Sequence, residues 1–76
     1  MNRFGEKLRT LRERRGLSLK QLGDRLSVSK TFVWEMEMGK KIPNIVMLTK
    51  ICDEFGVSCD KLIRDELEID NQTSAN

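Results

Sequence analysis

The chain has 76 residues, 38% of them apolar, with one Pro and no Tyr; this excludes a second domain, a β-rich fold and a disordered chain, because compact domains take at least ~50 residues each. Its net charge of +2 hides a segregation: residues 1–41 hold 11 basic and 5 acidic side chains, whereas residues 42–76 hold 3 and 7. No apolar run approaches the ~18 residues of a membrane span, and the opening Met-Asn-Arg-Phe-Gly-Glu-Lys does not begin a secretion signal, so a cytoplasmic protein is expected.

Phe4, Leu8 and Leu11 recur at spacings of four and three, which predicts a first helix capped by Asn2 and stopped at Gly16. Ser18-Leu19-Lys20-Gln21 has the form of a capping box and opens a second, two-turn helix with the stripe Leu19, Leu22, Leu26. Ser29 caps a third helix that runs to Met38 and closes at Gly39, with Val33 and Met36 inward. Lys40-Lys41-Ile42-Pro43 is a basic loop. Asn44 then caps a fourth helix carrying Leu48, Ile51, Cys52 and Phe55 and ended by Gly56, and Ser58 caps a fifth with Cys59, Leu62 and Ile63. Glu66-Leu67-Glu68-Ile69-Asp70 either extends that helix or begins the tail, and residues 71–76 have nothing to bury and are expected to be mobile. The reading is all-α: five helices in one domain over residues 3–65, with an acidic and polar tail at 66–76.

Two cysteines seven apart, without any histidine, cannot form a four-ligand structural zinc site and read as small apolar residues. The missing histidine also removes the commonest general base, and no phosphate-cradling Gly-rich loop or Ser-Lys pair is present, so neither catalysis nor a cofactor is expected.

The informative stretch is residues 19–38, from Leu19 to Met38, where two short helices meet across residues 27–29. So tight a connection makes them cross steeply, and Gly23, on the stripe beside Leu22 and Leu26, removes the Cβ from the crossing. Ser27 takes the turn position, where a left-handed backbone costs about 1 kcal/mol. Val28 plugs the turn.

These residues resemble the DNA-binding domains of phage-type repressors, Cro proteins and the related bacterial Xre regulators. Phe4-Gly5-x-x-Leu8-Arg9-x-Leu11-Arg12-x-x-Arg15-Gly16-Leu17-Ser18 is similar to their first helix and its exit. Val28-Ser29-Lys30-Thr31-Phe32-Val33 with Glu37-x-Gly39-Lys40-Lys41-x-Pro43 is similar to their recognition helix and the loop behind it, and Ile51-Cys52-x-x-Phe55-Gly56-Val57-Ser58 to their closing helices. Leu19 departs from the pattern, standing where the family has a Gln that contacts the DNA backbone. Gly23 replaces the usual Ala and Ser27 the usual Gly.

The resemblance implies a helix-turn-helix regulator of transcription, a repressor, bound to double-stranded DNA. Basic side chains supply binding to phosphate through counterion release. The phosphate contacts expected are Arg12, Ser18, Lys20, Phe32, Lys40 and Lys41, with the amides that open the second helix as a further anion site. Base readout is expected from Lys30, Thr31, Trp34 and Glu35: Lys donates to guanine, Thr offers a methyl to thymine and Glu accepts from cytosine. Phe32 packs either on the DNA backbone or on the shoulder of the domain. Trp34 has four destinations: a thymine methyl, the Lys40-Lys41 loop, a protein interface or the core. The resemblance sets Arg12 opposite Glu37, and Glu37 falls about 40° from Val33 on the helix, where an unpaired carboxylate is costly.

A homodimer pairing through Leu62, Ile63, Leu67 and Ile69 in the acidic half is expected, reading a near-palindromic operator with half-sites ~10 bp apart. Seventy-six residues leave no room for a sensor, so no small-molecule effector is expected. The competing class is an interaction module, such as an antitoxin-type partner, that kept the fold and lost DNA readout; Leu19, Trp34 and Glu35 favour it.

Overall fold

Four of the five helices start on the polar side chain that the sequence places there. The structure, a computed structural model, describes residues 1–69, and these form α1 (Phe4–Arg14), α2 (Leu19–Leu26), α3 (Lys30–Glu37), α4 (Ile45–Phe55) and α5 (Cys59–Ile63), with no strand among the described residues. Ser18, Ser29, Asn44 and Ser58 accept from the amides of Gln21, Phe32, Met47 and Lys61, each cap contributing about 1 kcal/mol. The Gln21 side chain reaches back to the Ser18 amide at 2.8 Å, completing the capping box. The mobile end expected for residues 71–76 lies outside the described residues.

The first helix departs from expectation at its start. Asn2 is not its cap; Arg3 holds that position and makes no side-chain cap bond. The anion instead comes from the far end of the chain, where the Asp65 carboxylate accepts from the amides of Asn2 and Arg3 at 3.0 and 2.9 Å. A carboxylate at a helix N-terminus also meets the positive end of the helix dipole. These amide bonds, the Arg3 bond foremost, hold the Asp65 carboxyl below its ordinary range.

All five helices contribute to one core of Phe4, Leu8, Leu11, Leu22, Leu26, Val33, Met36, Leu48, Ile51, Cys52, Phe55 and Leu62. Two glycines set how closely the first three helices approach. A Cβ on Gly23 would stand 2.6 Å from the Val28 carbonyl oxygen, and one on Gly5 would stand 2.3 Å from that of Glu37 and 2.7 Å from that of Met36. In both cases the obstacle is backbone, which cannot swing aside. Ser27 adopts the left-handed conformation (φ 62, ψ 40) that the turn demands, and Lys50 Nζ donates to the Leu26 carbonyl beside it at 2.9 Å. Both cysteines are free; Cys52 is buried, and burial foremost pushes its thiol up to about 12, so it acts as an apolar side chain.

In the C-terminal segment one alternative is settled and one expectation is corrected. The fifth helix does not continue through Glu66 and Leu67: it ends at Ile63, Arg64 becomes extended (ψ 116), and the Leu67 amide turns back to the Arg64 carbonyl. The cause is Lys7. This side chain is 2% exposed, and its ammonium donates to the carbonyls of Lys61, Arg64 and Leu67 at 2.6, 2.9 and 2.5 Å, so the segment winds around a buried cation. Arg3 clasps the same segment from outside, bonding both oxygens of Glu68 and the Asp65 carbonyl. Second, Leu62 is fully buried in the core and has no surface for a partner, while Ile63, Leu67 and Ile69 are half-buried.

Lys7→Met keeps the apolar stem and removes all three donors, so the converging carbonyls lose their shared cation and that of Arg64 keeps the Leu67 amide. Such a change is expected to lower unfolding free energy by about 2–3 kcal/mol and to speed exchange of the Leu67 amide. Denaturant melts and amide exchange check it; a variant as stable and as protected as the parent refutes the role of Lys7.

Candidate nucleic-acid interface

The connection between α2 and α3 fixes what α3 shows to solvent. Leu22 and Leu26 on one side and Val33 and Met36 on the other are buried together, and Phe32 is half-buried against the core. At about 100° per residue the opposite face of α3 carries Lys30, Trp34, Met38, Thr31 and Glu35 in that angular order. Lys30, Thr31, Trp34 and Met38 are exposed and Glu35 is half-buried. All four base-reading candidates therefore share one outward face. Phe32 lies on the shoulder of the domain, half-buried against the core.

Behind α3 the backbone makes a tight return. Gly39 (φ 78) bends the chain, and the amides of Lys40 and Lys41 both donate to the Glu35 carbonyl, at 2.8 and 3.2 Å. The loop is thus tied to the helix that it follows. The Lys40 ammonium stands 5.8 Å from the centroid of the Trp34 ring, so of the destinations open to Trp34 the core is excluded and the basic loop is occupied. Lys30 and Lys41 are exposed and have no anionic partner among the described residues, which leaves both charges available. Lys20 is exposed but pairs with Asp24 one turn on, at 3.3 Å. At the start of α2, the Ser18 cap satisfies Gln21, and the amides of Leu19 and Lys20 have no acceptor among the described residues.

Arg12 and Glu37 meet as the resemblance implies. Arg12 Nε and Nη2 donate to the two Glu37 oxygens at 2.6 and 3.1 Å, and Nη1 donates to the Leu17 carbonyl at 2.9 Å. The side chains are 13% and 4% exposed, and the Glu37 bond raises the guanidinium's proton affinity above its ordinary value. The pair joins the first helix, its exit and the end of α3. With three of its five N–H donors engaged, Arg12 is a structural clamp that keeps two donors for a further acceptor. Leu19 is half-buried and packs against the core in place of reaching outward.

Sequence reasoning passed over several residues that position this surface. Gly5 admits the C-terminal end of α3, Lys50 fixes the turn before it, and Arg25 bridges to Glu54 at 2.6 Å. Gly5 carried a signal, since a glycine inside a strong helical stripe calls for a close neighbour. Lys50 and Arg25 carried none, because their partners are distant in sequence.

Arg12→Ala leaves the Glu37 carboxylate buried and unpaired. The expected loss of stability is about 3 kcal/mol, with Glu37→Gln in the same background restoring part of it, as measured by chemical denaturation. Equal stability of the single and double variants would refute the clamp.

Residues 3–65 match the family described as "Helix-turn-helix domain". The chain is 40% identical over 63 residues to the HTH-type transcriptional activator BcrR of Enterococcus faecalis, covering 83% of this chain and 31% of that protein. It therefore spans about a third of that relative's length. Among solved structures, a transcriptional regulator from Listeria innocua superposes with a TM-score of 0.77 at 29% identity, over 91% of this chain and 64% of that one. The restriction-modification controller protein C.AhdI from Aeromonas hydrophila does so with a TM-score of 0.72 at 26% identity, over 80% and 88%. With the matched region reaching from Arg3 to Asp65 and every helix in place, the chain belongs to the helix-turn-helix domain family and has the fold of its transcriptional regulators.

Proposed function

We propose that this chain binds double-stranded DNA in a sequence-specific manner and regulates transcription, acting in the cytoplasm, with α3 laid in the major groove. One observation carries the reading: the outward face of α3 gathers Lys30, Thr31, Trp34 and Glu35, and the loop tied to its end adds Lys40 and Lys41. Lys30 and Thr31 lie in the first turn, where a recognition helix meets base edges. Lys40, Lys41, Lys20, Ser18 and the free amides opening α2 supply the contacts to phosphate. The clamp of Arg12 on Glu37 holds α3 at a fixed tilt, so these groups arrive as a rigid set. The family and the resemblance to transcription regulators also argue against an enzyme. Repression follows from occupancy of a promoter; BcrR is named an activator, and the position of the operator sets the sign.

The reading includes a two-fold dimer on a near-palindromic operator. A core this small is only marginally stabilising, and contiguous exposed apolar residues on such a domain mark an interface. Ile42, Ile45 and Val46 are 73%, 74% and 67% exposed, far more than Ile63, Leu67 or Ile69, so pairing centres on the loop before α4 and its first turn. No helix among the described residues is long and apolar enough to cross a bilayer.

Fluorescence anisotropy with a labelled duplex drawn from the chain's own promoter tests DNA binding. Affinity is expected to fall linearly with salt on logarithmic axes, and Lys41→Ala to make the slope for the dimer shallower by about 1.8, one phosphate's worth of counterion per protomer. Failure to bind any duplex at low salt would assign the fold to an interaction module. Sedimentation tests pairing: Ile45→Asp is expected to convert a dimer to a monomer with its helical spectrum intact, and an unchanged sedimentation coefficient would move the interface elsewhere.

A further inference from the structure

The outward face of α3 is apolar at its centre. Lys30 and Thr31 occupy its first turn and Glu35 one margin, while between them Trp34 is 42% exposed and Met38 55% exposed. Apart from its one N–H donor, a large indole there offers an apolar ring poorly matched to phosphate, to water and to nearly every base edge. Of the groups that the major groove displays, one is apolar: the C5 methyl of thymine.

Nor does the indole lie loose. Lys40 covers its ring at 5.8 Å, and the Lys40 backbone is itself fixed by the bond from its amide to the Glu35 carbonyl. Backbone and side chain thus grip one turn of α3 from two points. The ammonium takes one side of the ring and keeps a positive charge beside the groove, where phosphate favours it. We infer that Trp34 reads thymine through its C5 methyl, with Lys40 as the positioning residue that holds the indole, so each half-site carries a thymine where the ring meets the groove. The inference rests on the DNA-binding reading above and adds to it the base and the group recognised.

The test replaces thymine by deoxyuridine, which deletes the methyl and leaves every hydrogen-bonding group in place. A preferred duplex is selected from a randomised pool with the full chain, and each thymine is then replaced in turn. One position per half-site is expected to weaken binding about fourfold, the worth of a buried methyl. Trp34→Ala, checked for its helical spectrum, is expected to bind the two duplexes equally. Lys40→Met is expected to reduce the methyl dependence and Lys40→Arg to restore it, a rescue that a merely structural role for Lys40 would not produce. Tight binding with no position sensitive to the methyl, or full sensitivity retained by Trp34→Ala, overturns the inference and leaves DNA binding intact. Selection that recovers no duplex overturns the DNA-binding reading and this inference together.

Discussion

Everything that this domain offers to a partner depends on how closely the backbone of α3 can lie against its neighbours. Two hydrogens in place of side chains make that approach possible: at Gly23 for the turn that precedes α3, and at Gly5 for the carbonyls that end it. A methyl at either place collides with backbone, and backbone gives way only if a whole helix moves. The Arg12 and Glu37 pair then locks what the glycines admit. Its stabilisation is modest once desolvation is counted, but its geometry is specific: two parallel bonds fix tilt and register, and the third bond ties in the exit of α1. A rigid α3 is what permits one face to act as a set of groups rather than as separate side chains.

The same α1 also organises the opposite end of the chain. The amides of Asn2 and Arg3 just before it are met by Asp65, its Lys7 ammonium gathers three carbonyls, and Arg3 reaches Glu68. A lysine on an amphipathic helix is ordinarily read as solvated. Here its three donors meet three acceptors inside the fold, which makes a buried charge tolerable and turns the chain sharply after α5. The acidic residues at 65 and 68 thus have local work to do at the start of α1.

That assignment changes the meaning of the charge division along the sequence. The basic excess of residues 1–41 is not uniformly available: Lys7 is buried, Arg12 is clamped, and Arg3, Arg9, Lys20 and Arg25 pair with carboxylates. Arg15 lies over the Phe55 ring, and on α3 and the loop behind it Lys30, Lys40 and Lys41 are exposed without a carboxylate partner among the described residues. The counts indicated the basic half of the chain, and pairing narrows its exposed cations further.

The sequence by itself determined the number, order and starts of the helices α2 to α5, because those signals are local: a polar cap bonds an amide three residues on, a glycine stops a helix, and apolar spacing defines an inward stripe. It also determined the strained turn at Ser27, the close approach at Gly23 and, through resemblance, the Arg12 and Glu37 pair. Only the tertiary structure decided the cap of α1, the fate of Lys7, the end of α5 and the burial of Leu62, since each depends on groups more than fifty residues apart or on which of several apolar side chains the core absorbs. It decided Phe32 and Trp34 as well: neighbouring aromatics look alike in sequence, and the angle of α3 against the core sends one inward and leaves the other at the surface under Lys40.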